Sequence, residues 1–552
     1  MKRLTLLIFI LALLAGCGES KKNADLIVYN AKVYTMDGGF AVLESFAVKD
    51  GRITAVGTNE SIAAVFESDS TLDAEGKAVL PGFIDAHSHF IGYGLGLQEC
   101  NLVGTTSYTD VVEKVKQYSG INRREWIIGR GWDQNDWAEK EWPDRAVLDS
   151  LFPRTPVLLQ RIDGHAALAN GEALRRARIS DTLKINGGEF LHREDGSLSG
   201  VLIDNAVELV QRVIPAPNNE VLRNAVLSAQ TNCFEAGLTS VTDAGLLKYQ
   251  INAIDQLHKS GSLKIRVYAM LSDSAPNYIH YLANGPYMTD RLSVRSFKFY
   301  GDGALGSRGA CLLNDYSDMP GHRGFLLNTQ KHYEEKFRKV AAKGFQVNTH
   351  CIGDSAARMT LRLYAKLLSD TLITKDKKAL RWRIEHAQVV QPADYKWFKE
   401  FEIIPSMQPT HATSDMYWAA QRLGDVRVRW AYALNALRES AGTIALGTDF
   451  PVEQISPFLT LHSAVVRTDQ KGFPAGGFQK ENALSRRNAL LGMTRWAAYA
   501  EFAEKQKGSI EAGRFADFII LDTDPMTCSD AQLAGIKVMA TYVQGEKVYQ
   551  RK

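Results

Sequence analysis

Asp85-Ala86-His87-Ser88-His89 carries two histidines two residues apart, directly after the apolar run Ala78-Val79-Leu80-Pro81-Gly82-Phe83-Ile84. In a strand, side chains at i and i+2 point to the same side. If the apolar run is a buried strand, both imidazoles leave its end toward one point. Neutral imidazole is the commonest protein ligand for transition metals, so the chemistry suggested is metal binding. Alone, the pair equally describes two unrelated loop histidines. Further ligands elsewhere in the chain would decide between the two.

Four later positions qualify. His350 ends the segment Phe345-Gln346-Val347-Asn348-Thr349-His350, and His386 ends Trp382-Arg383-Ile384-Glu385-His386. Asp449 ends Thr443-Ile444-Ala445-Leu446-Gly447-Thr448-Asp449. Lys298 lies mid-strand in Val294-Arg295-Ser296-Phe297-Lys298-Phe299-Tyr300, where a free ammonium costs several kcal/mol unless paired. Two readings of Lys298 stay open. One is an ion pair with Asp302 or Asp449. The other is a neutral amine that takes up carbon dioxide as a carbamate, whose two anionic oxygens can bridge two cations.

The elements that must position these groups repeat. Eight strand-like segments occur, the one before His87 and those at 238–243, 264–271, 296–300, 345–350, 382–386, 403–407 and 443–449. Helix-like stretches at 221–236, 277–282, 332–343, 355–368, 393–400 and 426–440 lie between them. That alternation predicts an α/β fold, a (β/α)8 TIM barrel over 81–505. Chemistry in such a barrel sits at the C-terminal strand ends. Four of the twelve histidines fall there, which random scatter rarely produces.

Short β segments at both ends of the chain, 24–80 and 506–552, read as one small composite β-sandwich. Residues 95–217 break the rhythm and carry Trp132, Trp137 and Trp142. They read as an insertion after the first barrel strand, folded over the active face, since a structureless loop of that length would be abnormal.

At the N-terminus, Lys2 and Arg3 precede the apolar run Leu4 to Leu14, then Ala15-Gly16-Cys17. This describes a secretory signal over 1–16, too short for a stable membrane span. Residues 17–23 read as a polar tether. With 45% hydrophobic and 23% charged residues, the rest reads as an ordinary folded protein. Lys plus Arg is 65 against 62 for Asp plus Glu, which gives no hint of a nucleic-acid partner. The six cysteines show no CxxC spacing, so no zinc knot or disulfide framework is indicated.

Leu14-Ala15-Gly16-Cys17 resembles the lipobox of bacterial lipoproteins, which implies lipidation of Cys17, a membrane anchor and an exported, cell-envelope location. From residue 24 onward the chain resembles the amidohydrolase superfamily, specifically the family 3 group of YtcJ-like proteins and N-substituted formamide deformylases. The matching motifs are Pro81 to His89, Lys298 with Gly301 to Arg308, His350 to Asp354, Arg383 to Ala387, Gly447 to Val452 and Gly508 to Asp517. The resemblance implies that His87, His89, carboxylated Lys298, His350, His386 and Asp449 hold one or two divalent cations, usually zinc. Cys351 stands where alanine is commoner in that group.

The expected activity is hydrolysis of a non-peptide C–N bond in an amide, N-formyl or cyclic amide small molecule, with Asp449 as general base. His165, Trp132, Asp133, Arg308 and His411 are the candidates for substrate contact. The alternatives are a one-metal deaminase of the same superfamily and a non-catalytic lipoprotein on the same fold. A homodimer is left open.

Overall fold

The computed structural model describes residues 21–121, 125–374, 376 and 379–552. Cys17 and the leader before it lie outside the described residues, as does most of the 17–23 segment. Lys22 and Asn23, expected in a tether, instead pair in parallel with Phe66 and Glu67.

The central sheet is a chain of eight parallel strands in sequence order. They are β1 (Phe83–Ser88), β2 (Leu238–Leu246), β3 (Arg266–Ser272), β4 (Leu292–Tyr300), β5 (Gln346–Cys351), β6 (Arg383–His386), β7 (Ile404–Met407) and β8 (Ala445–Leu446). Helices on the outside connect them, giving the (β/α)8 barrel. The helix expected over 426–440 is two, Ala419–Arg427 and Leu434–Ala441. Between them Ala431 bridges to Val389, which breaks the helical run.

Strand alternation explains why these segments look half polar. Along β4, Phe297 and Phe299 face the helices, against Phe345 and Phe337 respectively. Ser296, Lys298 and Tyr300 therefore share the opposite, interior side. The register continues this layer: Lys298 lies beside Asn348, Tyr300 beside His350, and His350 beside Glu385.

The ring closes through backbone at its mouth. Asp449 N–H donates to His87 O at 2.8 Å, and His89 N–H donates to Phe450 O at 2.9 Å. This approach requires Gly447, since a Cβ there would come within 2.5 Å of His87 N. The same contacts bring the ends of β1 and β8 side by side.

A six-stranded sheet built from residues 100–204 lies between β1 and β2 in sequence. It mixes parallel pairs, such as Ile127–Trp132 on Val157–Arg161, with antiparallel ones, such as Ala166–Ala169 on Leu198–Asp204. Trp132 and Trp137 are buried in its core with rings 5.8 Å apart. Another six-stranded sheet joins Val538–Val543 and Phe518–Leu521 to Ala78–Pro81 and Lys32–Tyr34. Strands from both chain ends thus share it. A four-stranded sheet of residues 26–73 shares its core with that sheet.

Candidate metal centre

His87 leaves the end of β1 fully buried, with its Nδ1 against the carboxylate of Glu385 on β6. A carboxylate on Nδ1 fixes the tautomer in which Nε2 keeps its lone pair. That Nε2 lies 3.1 Å from Lys298 Nζ on β4 and 3.7 Å from Asp449 Oδ1. His89 Nε2 is 3.2 Å from the same Asp449 oxygen. On the other side, Asp449 Oδ2 lies 3.6 Å from His411 Nε2 and 4.0 Å from His386 Nδ1.

Two groups of converging ligand atoms result, His87–His89–Asp449 and His386–His411–Asp449, each with its atoms within 4.8 Å of one another. Asp449 belongs to both. Asp449 Oδ1, His386 Nδ1 and His411 Nε2 are buried and make no well-aligned hydrogen bond with a described residue. Buried polar atoms without partners are rare, and nitrogen and carboxylate donors are what a divalent cation such as zinc requires. The residues therefore fit a metal ion. His386 and Asp449 also have left-handed backbone, φ 69° and 63°, which ordinarily costs about 1–3 kcal/mol and collects at functional sites.

The electrostatics agree. Burial lowers the pKa of His87 to about 4, with the Lys298 charge adding to it. Burial likewise pushes His350 and His386 well below the usual histidine range. Burial works against ionisation of Asp449, but His89, His87 and His411 outweigh it and hold the carboxyl below its usual range. Neutral imidazoles and an ionised carboxylate are the protonation states a metal needs. Lys298 is depressed to about 8 by burial.

A surrounding layer fixes these groups. Glu385, held down to about 2 by Arg383 and His87 against the effect of burial, is paired with Arg383. Arg383 also donates to Ala86 O and Ser406 Oγ, so β1, β6 and β7 meet on one guanidinium. Asp85 accepts the backbone N–H groups of His87 and Thr448, tying β1 to the end of β8. Asp302 accepts three backbone N–H groups, from Ile352, Gly353 and Cys311, and so sets the chain just after His350.

His350 stands beside the two ligand groups. Its ring centroid is 4.4 Å from that of His386, and its Nε2 faces Gly303 O at 3.4 Å.

The centre opens into a cavity of about 650 Å³. His165, Asp133 and His411 line it, as do His89, Lys298, His350, His386 and Asp449. His411, expected as a substrate contact, lies close enough to Asp449 to count with the ligands. Two expected contacts fall elsewhere. Trp132 is buried in the insertion's core, where its indole donates to Leu159 O at 2.7 Å. Arg308 pairs with Asp318 and is not part of the cavity wall, because the chain turns at left-handed φ 63° there.

Several important residues were not singled out from sequence. Glu385 and Asp85 sit inside the quoted motifs, but nothing in their spacing announces their partners; Asp302, weighed only as an ion-pair partner of Lys298, instead accepts backbone N–H groups. Arg161 is held by Asp133, Asp163 and Gln134. Asp204 meets His165 Nδ1 at 2.6 Å from a strand nearly forty residues on. Only the folded insertion brings these together.

Comparison with known proteins fits this geometry. Residues 70–549 match the amidohydrolase family. Over 530 residues the chain is 29% identical to YtcJ of Bacillus subtilis, covering 94% of this chain and 98% of that protein. It is 24% identical over 553 residues to the N-substituted formamide deformylase of Arthrobacter pascens, covering 96% and 98%. An uncharacterized metal-dependent hydrolase of Pyrococcus horikoshii superposes with a TM-score of 0.75 at 27% identity, covering 92% and 99%.

Proposed function

Since the chain belongs to the amidohydrolase family, matched over residues 70–549, we propose that it hydrolyses a non-peptide C–N bond in an amide, N-formyl or cyclic amide small molecule. The observation that carries this is the convergence of His87, His89, His386 and His411 on Asp449. The named activity of the Arthrobacter relative supports the substrate class.

His87, His89, His386 and Asp449 would hold the metal, zinc being compatible with these donors, with His411 close enough to join them and Lys298 and His350 completing the expected set. When bound, such a cation lowers the pKa of a water from about 16 to near 7 and polarises a carbonyl. Lys298 would serve as a carbamate. Its neutral amine nitrogen would bond to the carbon of carbon dioxide as one C–O π bond opens, lose one proton to solvent, and leave a carbamate whose two oxygens would be available to hold the metal. Asp449 takes the proton of the attacking water on a carboxylate oxygen and passes it to the leaving nitrogen, so that the amine departs neutral. Glu385 keeps His87 in one tautomer throughout.

Hydrolysis of a panel of formamides, N-acyl amino acids and lactams by wild type and Asp449→Asn tests this reading. Turnover in wild type and its loss in Asp449→Asn are expected; equal activity in both removes Asp449 from the mechanism. Metal content separates a two-metal enzyme from a one-metal deaminase: clearly fewer than two equivalents in fully loaded protein favours the latter.

Export and lipid attachment at Cys17 belong to the same proposal, supported by the Lys2-Arg3 start and the Leu14 to Cys17 sequence. Labelled fatty acid should enter wild type and not Cys17→Ala.

A further inference from the structure

Arg130 lies in the insertion strand Ile127–Trp132 and lines the same cavity as His89, Lys298 and Asp449. Among the described residues its one hydrogen bond runs from Nη2 to Ile162 O, at 2.8 Å. Its Nε is buried and has no partner, and among the described residues it forms no ion pair. The other cavity cations differ. Arg161 is shared by Asp133 and Asp163 and donates from Nε to Gln134 Oε1 at 2.8 Å. Lys298 faces His87. Of the other carboxylates in the lining, Asp415 and Glu453 are taken up by Tyr432 and Ser414, while Glu99 and Asp136 also face the cavity.

The guanidinium is held in place. Ile162 O fixes one nitrogen, and Gly164, with φ 75°, packs so closely that a Cβ there would lie 3.3 Å from Nη2. Asp449, Asp163 and Glu99 act on Arg130 from beyond ion-pair distance, and burial outweighs them, so this partly desolvated cation is stabilised by an anion that reaches it. Guanidinium has five N–H donors in a planar fork that matches a carboxylate in two-point contact.

We propose that Arg130 binds a carboxylate on the substrate, so that the amide cleaved at the metal centre belongs to an N-acyl amino acid or a similar carboxylate-bearing amide. This rests on the C–N hydrolase reading and narrows it. The barrel supplies the reacting groups, and the insertion selects the substrate by charge.

The probes are N-benzoylglycine and its neutral counterpart N-benzoylglycinamide, titrated calorimetrically into the metal-loaded full protein. Wild type should bind the carboxylate at least tenfold more tightly than the amide. The ratio should fall toward one in Arg130→Gln and stay intermediate in Arg130→Lys, with thermal melts confirming that both variants fold. The wild-type comparison needs no variant. Equal binding of the two probes, no binding of either, or an unchanged ratio in Arg130→Gln overturns the proposal. Asp449-dependent turnover of the formamide panel is read separately. If it persists while the ratio is one, the anion site fails and the hydrolase reading stands; if the ratio holds without turnover of any amide, the reverse is true.

Discussion

Lys298 Nζ lies 3.1 Å from His87 Nε2, the lone pair that Glu385 leaves free by occupying Nδ1. An ammonium in that position would face a ring nitrogen needed elsewhere. Burial depresses Lys298 to about 8, so the amine is increasingly neutral above that pH and charged below it. Only the neutral amine forms a carbamate. Metal-depleted protein reloaded with bicarbonate at pH 9 should therefore take up more metal than at pH 6.5. Native mass spectrometry should show the added carbon dioxide in wild type and not in Lys298→Met. Equal metal uptake at both pH values would argue against the carbamate.

Glu385 connects His87 to Arg383, and all three are buried. Glu385→Gln removes the charge that orients His87 and leaves Arg383 without its counter-ion. Loss of such a supporting carboxylate typically weakens metal affinity by about 10–100-fold. Breaking a buried pair from one side costs about 3–5 kcal/mol. Competition with a chelator of known affinity and a thermal melt should show both effects.

Asp449 is the one residue common to both ligand groups. With a role in proton transfer, its replacement by Asn should lower kcat by about 10²–10⁴-fold. The loss in kcat should exceed any loss in metal content measured by elemental analysis on the same sample. A fall in metal content alone, with kcat per bound metal preserved, would make it only a ligand.

Asp302 accepts three N–H groups at 2.7–3.0 Å, two from the turn after His350 and one from Cys311. Burial raises its pKa to about 7. Asp302→Ala orphans donors that each cost about 1–3 kcal/mol when buried, so a loss of at least ~3 kcal/mol in denaturant unfolding is expected. The folded carboxyl binds its proton more tightly than an unfolded one. Its contribution to stability is thus present below about pH 4 and fades as pH rises through 7.

Trp132 supports the insertion's core and not the cavity wall. Trp132→Ala should cost about 3–5 kcal/mol of that subdomain's stability while metal content stays unchanged. Loss of metal would place the residue closer to the centre than its packing does.

The barrel was legible because its strand-like segments alternate with helical periodicity from residue 221 onward, and because His350 and His386 lie at the ends of two strands and Asp449 just after a third. The insertion was legible only as an interruption. Its strands at 127–132 and 198–204 pair across long sequence distances, and Gly131 and Gly200, both at positive φ, blur their pattern. Arg308 misled for a local reason: proximity to a strand end does not fix direction when the chain reverses at the residue itself. Trp132 misled because an aromatic beside a polar motif looks like a wall residue and is as often core. Glu385 and Arg383 were present as letters of a motif, yet a buried carboxylate's partner depends on register between strands, which single-chain periodicity does not contain.

The bond from Asp449 N–H to His87 O belongs at once to the wall of the barrel and to its reactive centre. The histidines at the end of β1 and the carboxylate after β8 come from opposite ends of the barrel's strand order and meet only at the seam where the sheet joins itself. Closing the cylinder and assembling its complete ligand set are therefore one and the same event in space.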